Sequence, residues 1–380
     1  MKIINRLADR FAKVQPLPAG VHHKQDMQDN KPYRVHLRLR SDGSGILILN
    51  ASTILHLNPT AAEYAYHFIH GTEPEEAVKQ VAARYRVSRD IARQDYQDFL
   101  DKIETLISTP DLDPVSFLDF ERVAPHSADL TSPLRLDCAL TYRLRDDSKA
   151  EYAPTKRVDR ELTTDEWRLI LDKAWQAGIP HVTFTGGEAT LRDDLPDLIA
   201  HVEKNGQVCG LLTDGMKLID QDYLTLLLQT GLDHILFLLQ PDDHNSWNAL
   251  EKIMAEDIFV TAHLTLNQDN IRLAEEALEQ LAKFNVQSLS LTSSDPSLRD
   301  RYDALRDKAA ALGLTLKFDL PVPYSASNPV AYEAREAAAP EGAGKAWLYV
   351  EPDGDVLPTQ GYSDKVLGNL VRDEWKQIYT

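Results

Sequence analysis

The sequence predicts an α/β chain: a partial (βα)6 barrel, preceded by a small α+β domain and followed by a short β-hairpin and helix extension. Three observations predict it. Between Leu134 and Leu320, short apolar runs alternate with amphipathic helical stretches across short turns, the beat of βα units around a parallel sheet. Ahead of them stand three short strand-like runs and then three helices with cap residues. Behind them, Pro352-Asp353-Gly354 turns between two apolar runs.

Residues 1–32 form an N-terminal extension in which Ile3, Ile4, Leu7, Phe11 and Val14 share one helical face. Lys2, Arg6, Arg10 and Lys13 lie elsewhere on it, so the segment suits its own protein, a partner or a membrane surface. Residues 33–107 form the first domain. Val35-His36-Leu37-Arg38-Leu39 alternates, Ser41 to Gly45 is turn chemistry, and Ile46–Leu49 and Thr53–Leu57 complete three strands. Asn58-Pro59-Thr60 caps a helix to Ile69, Pro74 opens a second to Tyr85, and Ser88 caps a third to Ile107. Strands then helices make this module winged-helix-like. Residues 108–132, with five acids against the single base Arg122, read as a linker.

Residues 133–325 hold the barrel. The strands are expected at Leu134–Thr141, His181–Thr185, Cys209–Thr213, His234–Leu239, Phe259–Leu266, Ser288–Leu291 and Leu314–Leu320. The helices between them are Thr164–Gly178, Asp193–Asn205, Asp220–Gly231, Ser246–Glu256, Asn270–Phe284 and Ser297–Leu312. Six units make a partial TIM-like barrel rather than a full eightfold one, with a doubly wound open sheet as the alternative. Residues 326–380 carry the hairpin Ala346–Pro358 and a closing helix near Glu374.

Composition narrows the chemistry. A formal charge of -18 disfavours a generic grip on nucleic-acid phosphates and suits a basic peptide or small molecule. Cys138 and Cys209 are the only thiols among the 380 residues, which excludes a disulfide framework and an iron–sulfur cluster held by three or four cysteines of this chain. Both fall inside expected strands and read as small core residues. No apolar run is long enough to span a bilayer and no cleavable signal opens the chain, so a cytoplasmic location is expected. Asp146, Asp147, Ser148 and Glu151 offer hard oxygen donors but read more simply as a solvated face, and His22, His23 and His234 as structural or surface residues.

Three resemblances follow from these residues. Ile46–Asn50, Leu55-His56-Leu57-Asn58-Pro59-Thr60-Ala61-Ala62-Glu63, the His70–Pro74 turn and Val81–Ser88 resemble the PqqD-like family of peptide chaperones. That likeness implies a precursor or leader peptide as partner, bound by strand addition to an open sheet edge. Thr185-Gly186-Gly187-Glu188-Ala189-Thr190-Leu191-Arg192-Asp193-Asp194-Leu195, with Thr213-Asp214-Gly215 further on, resembles the radical S-adenosylmethionine (SAM) superfamily. It implies SAM as ligand at Gly186, Gly187, Glu188, Thr213, Asp214 and Gly215. Two glycines let backbone approach a ligand, and the carboxylate accepts from an ammonium group.

The superfamily's cysteine loop has Leu144, Ser148 and Glu151 at the matching positions here. Leu144 has no donor atom, and serine and carboxylate oxygens match a cluster poorly. Pro352–Val356 and Leu367-Gly368-Asn369-Leu370 resemble a shortened SPASM or twitch extension, with Glu341 and Thr359 where cysteines are expected. The expectation is a pseudoenzyme without clusters that binds a peptide and assists an active modifying enzyme. SAM-dependent polar chemistry, or radical chemistry with a partner-supplied cluster, are the alternatives.

Overall fold

The computed structural model describes residues 15–28, 31–109, 112, 117, 130–145, 158, 160–286, 288–293, 295–318, 320–322, 340–362 and 364–379. The N-terminal helix expected over 1–14, most of the linker, and Asp146, Asp147, Ser148 and Glu151 lie outside the described residues. The chain divides into two compact units, Met1–Ala124 and Pro125–Thr380, a boundary inside the segment read as a linker.

Unit 1 is a four-stranded antiparallel meander, β1 (Gly20–Gln28), β2 (Lys31–Leu39), β3 (Gly45–Leu49) and β4 (Thr53–Leu57), followed by α1 (Pro59–Ile69), α2 (Pro74–Tyr85) and α3 (Arg89–Ser108). The sequence reading counted three strands, assigned Gly20–Gln28 to the extension, and is corrected by β1. Its residues carry no apolar alternation, and its strand state comes from pairing with β2 along its whole length, Gly20 opposite Leu39 to Gln28 opposite Lys31. Alternate residues Tyr33, Val35, Leu37 and Leu39 join Leu47, Leu49, Leu55 and Leu57 in a core that Ala62, Ala65, Ile69, Ile103 and Leu106 close from the helices. The caps act as expected: the side chains of Asn58 and Ser88 accept from the backbone N–H groups of Ala61 and Ile91 at 2.9 and 3.3 Å. Buried Glu63 ties α1 to α2 through Arg84, 2.8 Å away.

Unit 2 is built on a ten-stranded sheet ordered β11-β10-β9-β8-β7-β6-β5-β12-β13-β14. Its parallel strands are β5 (Arg135–Thr141), β6 (His181–Gly186), β7 (Val208–Thr213), β8 (His234–Leu238), β9 (Phe259–Leu266), β10 (Ser288–Ser293) and β11 (Thr315–Leu316). Six helices, α4 (Thr164–Gln176), α5 (Leu195–Asn205), α6 (Gln221–Gln229), α7 (His244–Met254), α8 (Ala274–Lys283) and α9 (Arg299–Ala311), connect them in turn, which gives the expected six βα units. The last barrel strand is shorter than Leu314–Leu320, since Thr315 and Leu316 alone pair with β10. The hairpin β12 (Trp347–Val350) and β13 (Asp355–Leu357) joins the same sheet through β5, with Leu348 opposite Leu136. β14 (Gly368–Asn369) and α10 (Trp375–Ile378) close the chain.

One strand face packs the helices: Leu136, Cys138, Leu140, Val182, Phe184, Cys209, Leu211, Ile235 and Phe237 belong to one large core. Both cysteines are fully buried there, and burial pushes the Cys138 thiol well above its ordinary range. The alternate face carries polar groups beside a smaller apolar cluster of Leu212, Leu236 and Leu238. His181 and His234 meet at Nε2–Nε2 2.7 Å, and burial drives the His234 pKa down to about 4. The intervening β7 passes beneath them at Gly210, where a Cβ would stand 2.2 Å from the His234 ring. His234, read without a partner, is thus a structural residue paired within the sheet.

Candidate functional site

At the C-terminal ends of β6 and β7 the structure brings together all six residues singled out in the barrel. After Thr141, the chain lies against the turn: Gly187 N–H donates to Thr141 O at 2.8 Å, and Glu188 N–H donates to Arg143 O at 2.9 Å. This contact accounts for both glycines. A Cβ on Gly186, whose φ is +122°, would stand 2.1 Å from Thr141 O, and one on Gly187 2.2 Å from Arg143 O.

Glu188 is 1% exposed. Its Oε1 accepts from Thr190 N–H at 3.1 Å, Thr190 Oγ1 at 2.6 Å and Thr213 Oγ1 at 2.8 Å, and its Oε2 accepts from Asp214 N–H at 2.9 Å. Thr213 Oγ1 in turn accepts from Gly215 N–H at 3.0 Å, and Gly215 takes the left-handed backbone at φ +75° over the Phe237 ring. Asp214 Oδ2 receives the Arg145 guanidinium at 2.6 Å. Thr190, Arg145 and Lys217, whose ammonium donates to Thr190 O at 2.8 Å, were missed by the sequence reading. Only Thr190 had a local signal, a hydroxyl two residues after an acid in a turn.

A carboxylate offers about four lone-pair sites; three donors of this chain converge on Oε1 of Glu188 and one reaches Oε2, which leaves one site on Oε2 open. That site on Oε2 is the acceptor a ligand's ammonium group would take, as the SAM expectation requires, while this chain holds the rest of the carboxylate. Burial, and then the nearby Asp214 charge, raise the Glu188 pKa to about 7. The folded state therefore holds a proton that the unfolded chain has released, and stability attributable to Glu188 falls as pH rises from its ordinary 4.5 to about 7. Buried His234 acts in the opposite sense, costing stability as pH falls from 6.5 toward 4. The difference in unfolding free energy between wild type and Glu188→Gln isolates the first effect. It is expected to shrink steadily across pH 5 to 7, as read by denaturant titration; a pH-independent difference would contradict the assignment.

A cluster fares worse than SAM. Leu144 carries no donor, and Thr359 Oγ1 accepts from the Trp347 indole at 3.2 Å. The chain's two thiols are locked in β5 and β7 facing the helices. The donor set does not fit a thiolate-held [4Fe–4S] group.

Unit 1 holds a second candidate. A groove of about 310 Å³ runs between β4 and α3, lined by Leu55, Leu57, Tyr64, Phe99, Ile103 and Leu106, with Asp95, Asp98 and Lys102 among its polar lining residues. β4 pairs with β3 on one side and is an outer strand of the described sheet. An open edge is expected from the residues but a groove is not, because that requires α3 to be laid against β4. The periodic Phe99, Ile103 and Leu106 were its only trace.

Comparison with known proteins now bears on both sites. Residues 138–259 match the family model of the Radical SAM superfamily. Residues 45–105 match that of coenzyme PQQ synthesis protein D (PqqD). The barrel turn lies within the first match and nearly the whole groove within the second. Among curated proteins, the chain is 27% identical over 226 residues to a PqqA peptide cyclase of Streptomyces rochei, covering 53% of this chain and 62% of that one. It is 25% identical over 229 residues to a PqqA peptide cyclase of Granulibacter bethesdensis, covering 53% and 60%. The chain thus spans about three fifths of the length of these relatives.

The fold is shared with Streptococcus suis SuiB. Its structure bound to S-adenosylmethionine matches with a TM-score of 0.58 at 15% identity, covering 91% of this chain and 87% of that one. Its structure bound to precursor peptide SuiA matches with a TM-score of 0.57, also at 15% identity, covering 90% and 87%. Radical SAM-like and PqqD-like regions are therefore both present in the chain, and the barrel is of the partial TIM-like kind. No helix of the described residues is long and apolar enough to cross a membrane.

Proposed function

We propose that this chain is a peptide-binding, radical SAM-like pseudoenzyme: unit 1 captures a precursor (leader) peptide, and the barrel serves as a scaffold that assists a separate modifying enzyme. The observation that carries the reading is the groove beside the outer strand β4. An extended peptide can pair with that edge through backbone hydrogen bonds while alternate side chains enter the apolar floor. The match to PqqD and the SuiA-bound relative in fold support it. The non-catalytic part of the reading rests on the donor set, since Cys138 and Cys209 are buried core residues and neither follows the first barrel strand as a cluster ligand must.

A second reading gives the barrel turn a SAM ligand for polar chemistry, favoured by the Radical SAM match that contains Gly186–Glu188 and Thr213–Gly215. It requires an ammonium group to reach the open lone pair of Glu188 Oε2, beside the bond from Asp214 N–H. Calorimetric titration with SAM separates the readings for the barrel. The test of peptide binding is fluorescence anisotropy of the full chain with labelled leader segments from small reading frames neighbouring its gene. Saturable binding to one of them is expected, and no binding to any would remove the reading.

A further inference from the structure

The rim of the groove carries charges that backbone pairing does not use. Asp95, Asp98 and Lys102 of α3 stand at i, i+3 and i+7, so they share one helix face along the groove. All three are exposed, and none forms a hydrogen bond or ion pair with another described residue. The two acids lie toward one end and the base toward the other. At ~1.5 Å rise per residue, the midpoint of the acid pair is about 8 Å from Lys102 along the helix axis. An extended peptide covers that distance in two to three residues at ~3.3 Å each.

We propose that the groove selects a peptide of split charge. A lysine or arginine sits over Asp95 and Asp98, and an aspartate or glutamate sits over Lys102, two residues away on the same face of the strand. An apolar side chain between them enters the floor formed by Leu55, Leu57, Phe99 and Ile103. This inference rests on the reading of the groove as a peptide site and names the chemistry that site takes. Each exposed charge pair contributes little alone. A peptide of wrong polarity loses these pairs and meets like charges at both ends, so the effect is chiefly on selectivity. A preference on the order of tenfold is expected, the equivalent of about 1.4 kcal/mol.

The test uses the full chain and synthetic 14-residue peptides of alternating apolar and neutral polar residues. One carries lysine then glutamate two residues on, one the reverse order, and one glutamine at both positions. Fluorescence anisotropy is expected to favour one charge order over the other and over the glutamine peptide. The triple variant Asp95→Lys, Asp98→Lys, Lys102→Glu is expected to invert the order. A control variant, Asp101→Lys with Glu104→Lys, changes exposed charges of α3 outside the groove lining and is expected to keep the wild-type order. Equal binding of all three peptides, unchanged in the triple variant, overturns the split-charge inference and leaves the peptide site standing. No binding of these or of the leader segments, or a chain that sediments as a dimer and takes up no peptide, overturns both.

Discussion

Gly186→Ala is expected to destabilise the barrel by about 3 kcal/mol or more, lowering the melting temperature of unit 2 by roughly 6–12 °C. Two independent costs meet at this position. The φ of +122° belongs to a region that residues with a Cβ rarely adopt, and the added Cβ would stand 2.1 Å from the carbonyl oxygen of Thr141. The obstacle is backbone, so relief means moving the segment after β5. That movement would break the 2.8 Å bond from Gly187 N–H to Thr141 O and the 2.9 Å bond from Glu188 N–H to Arg143 O. Gly71 supplies the control: its Cβ would meet nothing within 4 Å, and its φ of +60° is within the left-handed region that an alanine enters at modest cost. Calorimetry is expected to show a large loss for Gly186→Ala and a loss of roughly 1–2 kcal/mol for Gly71→Ala. Equal losses would contradict this account of the turn.

Ala61→Phe is expected to weaken leader-peptide binding about a hundredfold while leaving the fold of unit 1 intact. Ala61 is half-buried in the first turn of α1 and lines the groove, where a ring would occupy the space meant for the peptide's apolar anchor. Losing a buried anchor typically costs 2 kcal/mol or more, and ~2.7 kcal/mol corresponds to a hundredfold. The small residue is not demanded by the helix cap, because Asn58 accepts from the Ala61 backbone. Far-UV circular dichroism and the melting temperature report folding separately from anisotropy, and undiminished binding in a folded variant would move the peptide elsewhere.

Much of this architecture was legible in the residues. The strand Phe259–Leu266 and the helix Pro74–Tyr85 fall where periodicity and punctuation put them, because each is bounded by turn or cap chemistry and carries a clear period. The strand Gly20–Gln28 was not legible, since His22-His23-Lys24-Gln25-Asp26 has no apolar alternation and acquires its state from a neighbouring strand. The same distinction runs through the sites. Gly186-Gly187-Glu188 and Thr213-Asp214-Gly215 announce turns locally. That they converge on one carboxylate, and that Arg145 reaches Asp214 across 69 residues of sequence, depends on sheet order. The pair His181–His234, 53 residues apart, exists only because β6 and β8 flank a glycine of β7. The groove is likewise a property of α3 against β4 rather than of either sequence.

The central claim joins a peptide-binding module to a barrel that holds no cluster of its own. Its most direct test is anaerobic purification and reconstitution of the full chain with ferrous iron and sulfide, followed by iron and sulfide analysis and a visible absorption spectrum. With two thiols, both buried in strands facing the helices, the predicted result is no stoichiometric iron or sulfide and no cluster absorption. A stoichiometric [4Fe–4S] signal in the chain alone would contradict it.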